Sequence, residues 1–371
     1  MSYLGEDIGK LGFGLMRLPM LGEAVDIEQT KQMVDLFLEN GFTYFDTAYG
    51  YHNGKSETVI KTALVERYPR DRYQLATKLP AWDADSAKEA HNMFWTSLER
   101  TGVEYFDYYL LHNLGGERTE IFDRFDVWTF LSEQKEKGYI KHLGFSAHAK
   151  ADDLDKILSD HPEMEFVQLQ INYADWDSKA IEAHKCYETA RKHGKPVIIM
   201  QPVKGGALAK LPKQAAEALA QENPAASSVS WALRYAVSLK GVITVLSGMS
   251  SLDQMKENIA IVRDFSPLSE SERAAIAKAQ KALDDLPNVP CTDCKYCVKG
   301  CPQNVAIPGI LSAMNNYLVY NDMERASMIY MWETSAAAKA SACNACGKCE
   351  MICPQSIPII EELRKAAKLF G

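Results

Sequence analysis

The stretch Phe45-Asp46-Thr47-Ala48-Tyr49-Gly50-Tyr51 begins as a strand and ends as a polar loop. Its approach, from Gly41 through Tyr44, is apolar and aromatic, which suits a buried strand. Asp46 falls where that strand should end, and Tyr51 lies five residues further on. Two more strand-like runs finish in the same manner, Gln74 to Lys78 on a lysine and Phe106 to His112 on a histidine. If these strands are parallel neighbours, Asp46, Tyr51, Lys78 and His112 share one rim. In a parallel barrel the rim at the carboxyl ends of the strands is where chemistry sits.

Together the four side chains read as proton-transfer machinery. A tyrosine hydroxyl titrates near pH 10 and needs help to exchange protons near neutrality. The ammonium of Lys78 would stabilise the phenolate of Tyr51 and lower its pKa. Asp46 would keep Lys78 charged, because a lone buried ammonium tends to shed its proton. A neutral His112 could donate a hydrogen bond to a carbonyl oxygen and fix its position. Taken singly, Asp46 is a turn residue, Tyr51 and Lys78 are surface residues, and His112 is a structural histidine. Three successive strand ends carrying these types argue for joint chemistry, the protonation of the alkoxide formed as a carbonyl is reduced.

Asp46-Thr47-Ala48-Tyr49-Gly50-Tyr51, Ala76-Thr77-Lys78 and Leu110-Leu111-His112-Asn113 resemble the aldo-keto reductase family over roughly residues 10–262. Residue by residue, the family's strand-end Asp, Tyr, Lys and His match Asp46, Tyr51, Lys78 and His112. The resemblance implies a (β/α)8 TIM barrel and a nicotinamide cofactor, NADH or NADPH, that delivers hydride to a carbonyl.

The chain has 371 residues, enough for one barrel plus an extra module. Its 47% hydrophobic and 24% charged residues are ordinary for a globular protein. A net charge of -8 argues against a nucleic-acid groove or an anionic membrane surface as partner. The start, Met1 to Lys10, lacks a basic segment followed by an apolar run, and no apolar stretch has the ~20 residues of a membrane span. The expectation is a cytoplasmic protein.

Residues 1–265 alternate short apolar runs with longer amphipathic ones, the pattern of βαβ units. Strands are expected at 11–18, 41–45, 74–78, 106–112, 142–146, 166–172, 196–201 and 242–247. Helices are expected at 27–41, 55–67, 86–101, 125–138, 151–160, 180–193 and 252–262. Eight strands in about 250 residues favour a barrel over an open sheet. Residues 266–287 read as a helical connector.

On the cofactor side the resemblance places a Ser-Asn pair and a Gln around the nicotinamide carboxamide. Ser146 and Gln168 match, whereas the Asn position is Ala147 and Met200 stands where the family often stacks a Tyr. The stretch from Ser247 to Asn258 resembles the family's phosphate and adenine loop, with Gly248, Ser250, Ser251, Gln254, Glu257 and Asn258 as candidate contacts. A helix starting after Ser250 and Ser251 would offer free N–H groups to a phosphate. Gly248 and Gln254 replace the cations that some members use for a 2′-phosphate, so NADH is expected to serve at least as well as NADPH.

Beyond Pro290 the composition changes. Cys291, Cys294, Cys297 and Cys301, followed by Pro302, form C-x2-C-x2-C-x3-C-P; Cys343, Cys346, Cys349 and Cys353, followed by Pro354, repeat it. This is the bacterial ferredoxin run for two 4Fe-4S clusters, in which the fourth cysteine of each run serves the other cluster. Zinc knuckles leave a longer gap between cysteine pairs, and disulfides do not suit a cytosolic chain. The ninth cysteine, Cys186, reads as a packed core residue. Residues 288–371 are thus expected to form a small, mainly helical ferredoxin-like iron-sulfur domain, with Ile310, Leu311, Met314 and Leu318 on one helical face. Lys295, Lys299 and Lys348 flank the ligands.

The two halves sit awkwardly together. Hydride carries two electrons and a cluster passes one, so a flavin would normally intervene, yet no flavin motif is visible. Three readings follow. Electrons from a ferredoxin-type partner pass through the clusters to a small carbonyl or alcohol in the barrel. Or the barrel is a nicotinamide-dependent carbonyl reductase with structural or redox-sensing clusters. Or the chain is a non-catalytic electron carrier or sensor with a vestigial barrel.

Overall fold

Eight parallel strands close on themselves in the computed structural model, which describes residues 3–371. They are β1 (Leu11–Gly14), β2 (Tyr44–Asp46), β3 (Gln74–Leu79), β4 (Phe106–Leu114), β5 (Ile140–Ala147), β6 (Phe166–Gln170), β7 (Val197–Met200) and β8 (Val242–Gly248). Each pairs with the next and β1 pairs with β8, so the barrel has no edge strand. The expected (β/α)8 barrel is the observed fold.

Side chains alternate across each strand, and this places the functional layer. Tyr44, Ala76, Tyr108, Leu110, Phe166, Ile198 and Ile243 pack together inside the barrel, whereas Leu11, Phe13, Phe45, Leu75 and Tyr109 belong to the core beneath the helices. Two residues beyond the inner layer come Asp46, Lys78, His112, Gln168 and Met200 in turn. One register therefore turns them all toward the barrel axis at the carboxyl end. Gly144 is required where the floor narrows, since a Cβ there would sit 2.5 Å from the Phe166 carbonyl oxygen.

Several boundaries differ from expectation for local reasons. β2 starts at Tyr44 rather than Gly41, because residues 41 and 42 close the helix Ile27–Glu39, with the Phe42 N–H donating to the Phe37 carbonyl. The 11–18 run breaks after Gly14 into a 3-10 turn, Leu15–Arg17. β6 stops at Gln170, after which Asn172 caps the turn Tyr173–Asp175. The 55–67 helix splits into Ser56–Ile60 and a wider π-turn, Lys61–Val65. An unexpected helix, Glu117–Arg124, precedes Val127–Glu136, and Lys213–Ala220 and Ser228–Val237 lie between β7 and β8.

The chain divides into two compact units. The first, residues 3–177, 181–205 and 229–269, holds the barrel. The second gathers 178–180, 206–228 and 270–371, and in it the connector helix Glu270–Asp284 packs on Lys213–Ala220. Its core joins Val305, Ile307, Ile310, Leu311 and Met314 to Tyr330, Ile357, Ile359 and Leu363. Each cysteine run leads into a helix, Ile307–Tyr320 or Ile359–Phe370, and these two pack together, as a duplicated unit would. Leu318, one helical turn beyond the buried Met314, lies outside this core and is 41% exposed. Among the described residues no helix is long and apolar enough to cross a membrane.

Candidate active site and iron-sulfur centre

Lys78 is fully buried, and its ammonium donates to Asp46 Oδ1 at 2.5 Å and to the Thr47 carbonyl oxygen at 2.7 Å. Burial pulls the Lys78 ammonium down, but the charges of Asp46 and Tyr51 outweigh it, and its pKa stands above the ordinary lysine value. Burial pushes the Asp46 carboxyl up by more than Lys78 lowers it. Lys78 Nζ also lies 5.0 Å from the ring centroid of Tyr51. For Tyr51 the balance differs from expectation. Dehydration raises its hydroxyl, Lys78 lowers it by charge and hydrogen bonding, Asp46 raises it again, and the net direction is upward. Lys78 thus restrains the rise without reversing it.

His112 lies edge-on to Tyr51, with ring centroids 6.0 Å apart, and its Nδ1 is buried without a partner. Burial, then the charges of Lys78, His148 and Arg118, hold its pKa well below the ordinary histidine value, so the imidazole is neutral. Trp82 donates from Nε1 to the His112 carbonyl at 3.0 Å, and its ring stands 6.0 Å from the imidazole. The Tyr51 loop is fastened from below: Thr47 Oγ1 donates to Ser56 Oγ at 2.8 Å, and Arg100 donates to the Tyr49 carbonyl at 3.1 Å.

Beside this group Ser146 Oγ accepts from the Asn113 N–H at 2.8 Å, and Gln168 reaches Met200 Sδ at 3.6 Å. Gln168 Oε1 and Asn113 Oδ1 are buried without a partner. Arg118 donates from Nε to the Asn113 carbonyl at 2.9 Å. Trp82 and Arg118 escape a motif-based reading, since each follows a strand end by a distance that only the folded loop makes meaningful.

The expected phosphate loop is more occupied than its sequence suggests. Gln254 Oε1 accepts from the Ser250 N–H at 2.8 Å, and Ser251 Oγ caps the Gln254 N–H at 3.3 Å, so both N–H groups are already engaged. Ser250 Oγ donates to the Arg17 carbonyl. Asn258 is buried, its amide donating to Ser247 Oγ at 2.9 Å, while Glu257 and Gly248 are exposed. The Arg17 side chain packs where a Cβ on Gly248 would lie, 3.2 Å from Cδ. Arg17 is a cation at this loop to which no sequence motif points.

In the second unit the cysteines enclose two cavities. One is lined by Cys291, Cys294, Cys297 and Cys353 together with Ile307, Leu311 and Ile357. The other is lined by Cys301, Cys343, Cys346 and Cys349 together with Val305 and Leu363. Each cavity thus takes three thiols from one run and the fourth from the other. Among the described residues no three His, Cys, Asp or Glu side chains close around a single metal ion. A four-iron cube instead wants its ligands spread over its corners. Burial, followed by the neighbouring Cys291 and Cys294, pushes the Cys297 thiol up to about 12. Such a thiol gives up its proton only to a strongly cationic guest. The residues fit 4Fe-4S clusters. Cys186 is buried with its thiol raised to about 11, and is inert packing.

Comparison with known proteins agrees with both halves. Residues 10–281 match the model of the aldo/keto reductase family, and residues 290–357 match that of the 4Fe-4S dicluster domain. An aldo-keto reductase from Mycolicibacterium smegmatis is 32% identical over 38% of this chain, and the match spans only 47% of that protein. One from Mycolicibacterium vanbaalenii is 30% identical over 69% of this chain and 85% of its own length. Among solved structures, the holo form of aldo-keto reductase AKR11C1 from Bacillus halodurans superimposes with a TM-score of 0.60 at 26% identity, over 75% of this chain and 95% of that one. A barrel of this topology, matched along nearly its whole length, makes the chain a member of the aldo/keto reductase family, an oxidoreductase that continues into a 4Fe-4S dicluster domain.

Proposed function

We propose that the barrel interconverts a small carbonyl compound and its alcohol with NADH or NADPH, while the two clusters pass single electrons. The observation that carries the catalytic reading is the buried Asp46–Lys78 pair held against Tyr51 and the neutral His112. Gln168 Oε1 and Asn113 Oδ1 lack the N–H donors that a primary carboxamide offers, so the residues present fit a nicotinamide. When bound, that cofactor supplies hydride to the carbonyl carbon.

The residues do the rest. His112 donates a hydrogen bond to the carbonyl oxygen and orients it. Tyr51 gives its hydroxyl proton to that oxygen as negative charge develops there. Lys78, its charge secured by Asp46 and the Thr47 carbonyl, stabilises the phenolate left behind. Tyr51 is only partly buried, so it recovers a proton from solvent at the barrel mouth. In the alcohol-oxidising direction the same proton returns to Tyr51.

Cys291, Cys294, Cys297 and Cys353 would hold one cluster, and Cys301, Cys343, Cys346 and Cys349 the other. Anaerobic titration of the reconstituted protein with NADH or NADPH, following the cluster absorbance, tests whether the two activities are coupled. Bleaching supports coupling. Unchanged cluster absorbance alongside carbonyl turnover would separate the clusters from the barrel chemistry.

A further inference from the structure

Two short helices, Tyr296–Lys299 and Lys348–Ile352, lie side by side in the second unit. Each sits between cluster cysteines of its own run. Their inward residues, Cys297 and Cys349, are 8% and 7% exposed and line different cavities. Their outward residues are large and apolar: Tyr296 is 54% exposed, Met351 81% and Ile352 51%. Exposed lysines surround them, Lys295, Lys299 and Lys348. Asp293 pairs with Lys295, so the charge of the rim rests on Lys299 and Lys348. Glu350 turns inward and accepts the Ile360 N–H at 2.8 Å, while Asp293 stands 4.0 Å from Lys295. Residues 288–371 carry eight basic and seven acidic side chains, in a chain whose net charge is -8.

We propose that this face docks an acidic one-electron carrier protein. An apolar centre with a basic rim, in an otherwise acidic chain, selects a partner with an acidic rim of its own. A second copy of this chain meeting the same face by two-fold symmetry would set lysines against lysines. The location suits electron entry, because Tyr296 and Ile352 each adjoin a cluster cysteine, one Cα step of about 3.8 Å away. Three apolar side chains make a small patch, in keeping with weak redox encounters that bury less than about 1,200 Å2. The docking rests on the electron-passing role proposed above. Its test measures binding rather than turnover, so a failed carbonyl assay leaves it standing.

The test uses the cluster-loaded full chain under anaerobic conditions, with two purified acidic probes, a flavodoxin and a two-cluster ferredoxin. At least one should bind, with an association rate that falls about tenfold or more as ionic strength rises from roughly 20 to 300 mM. Lys299→Glu with Lys348→Glu should weaken binding at low salt by about tenfold or more. Met351→Ala should weaken it several-fold at every salt concentration, with iron content unchanged. Lys88→Glu, an exposed barrel lysine, should bind like wild type. The proposal is overturned if neither probe binds, or if the charge-reversed variant binds as wild type does. It is equally overturned if sedimentation shows self-association that Met351→Glu abolishes, for then a second copy covers the face.

Discussion

Lys78 and Asp46 face each other across adjacent strands, 2.5 Å apart and both shut off from water. A buried pair of this kind is weak evidence for stability, since desolvation offsets most of the attraction. Its worth lies in holding a cation against Tyr51. Tyr51→Phe should therefore keep the fold and the dinucleotide affinity while losing about 10²–10⁴-fold in carbonyl-reducing turnover, the usual contribution of a positioned acid. Wild-type turnover in the variant would remove Tyr51 from that role.

The pH profile follows from two opposite shifts. His112 stays neutral, since burial and Lys78 hold its pKa well down. Tyr51 stays protonated, since burial raises it beyond what Lys78 recovers. Reduction should then be flat between about pH 6 and 8, with no limb from a histidine near its reference value of about 6.5. Alcohol oxidation needs the phenolate and should climb with pH throughout that range. Lys78→Met removes the cation that lowers Tyr51, so the oxidation limb should move to still higher pH. A profile that stays put in the variant would uncouple the two residues.

Cofactor choice turns on Arg17 and Gly248. Gln254 is committed to the Ser250 N–H and supplies no cation, so the 2′-phosphate of NADPH gains nothing from it. NADH should bind at least comparably with NADPH by equilibrium fluorescence titration. A preference of about a hundredfold for NADPH, near 2.7 kcal/mol, would assign the 2′-phosphate to the guanidinium of Arg17. In that case Arg17→Ala should erase it.

Glu165 offers a stability test away from the chemistry. It accepts the Leu143 N–H at 2.9 Å and pairs with Lys135 and with His142 at 3.1 Å. Burial opposes them, yet His142, Lys135 and Leu143 prevail and hold its carboxyl at about 2, well below the ordinary glutamate range. A depressed carboxyl contributes stability that is complete above its unfolded pKa and is lost as pH falls through the folded one. With the side chain 28% exposed, Glu165→Gln should cost about 1–2 kcal/mol at pH 7, less than the full linkage of roughly 3 kcal/mol. The gap from wild type in thermal midpoint should close between about pH 4.5 and 2. A gap that persists at pH 2 would point to lost packing instead.

How much of this is legible in the sequence depends on where the signals lie. Asp46, Lys78 and His112 lie at or near the carboxyl ends of plainly apolar strands, so strand register alone carries them to one layer. The cysteines are legible because thiolate spacing is short-range. Arg17 and Arg118 are not, because each reaches its neighbour through loop geometry rather than periodicity. The upward Tyr51 shift is hidden for a related reason. Sequence shows which charges are near but not how much water the fold removes, and here dehydration outweighs the ammonium. The helix Glu117–Arg124 is equally hidden, since the two glycines before it, Gly115 and Gly116, read as loop until their positive φ is seen to start it.

Cys301 gives the sharpest test of how the second unit is wired. Along the chain it follows Cys291, Cys294 and Cys297, yet it lines the cavity of Cys343, Cys346 and Cys349. Cys353 makes the reciprocal crossing. The physical reason is reach. Three cysteines at i, i+3 and i+6 wrap one cube, after which Pro302 or Pro354 turns the chain toward the neighbouring one. The crossing ties both ends of the intervening helices Ile307–Tyr320 and Met323–Glu333, so losing either cluster should loosen the core around Ile310 and Met314. Cys301→Ala should therefore damage mainly the cluster of the second run. Iron content should fall toward half, and electron paramagnetic resonance of the reduced variant should keep the signal of the cluster held by Cys291, Cys294, Cys297 and Cys353. Cys353→Ala should do the converse, and each variant should raise proteolytic cutting between residues 302 and 342. If Cys301→Ala instead abolishes the signal that Cys291→Ala also abolishes, the fourth ligand is local and the crossed arrangement is wrong.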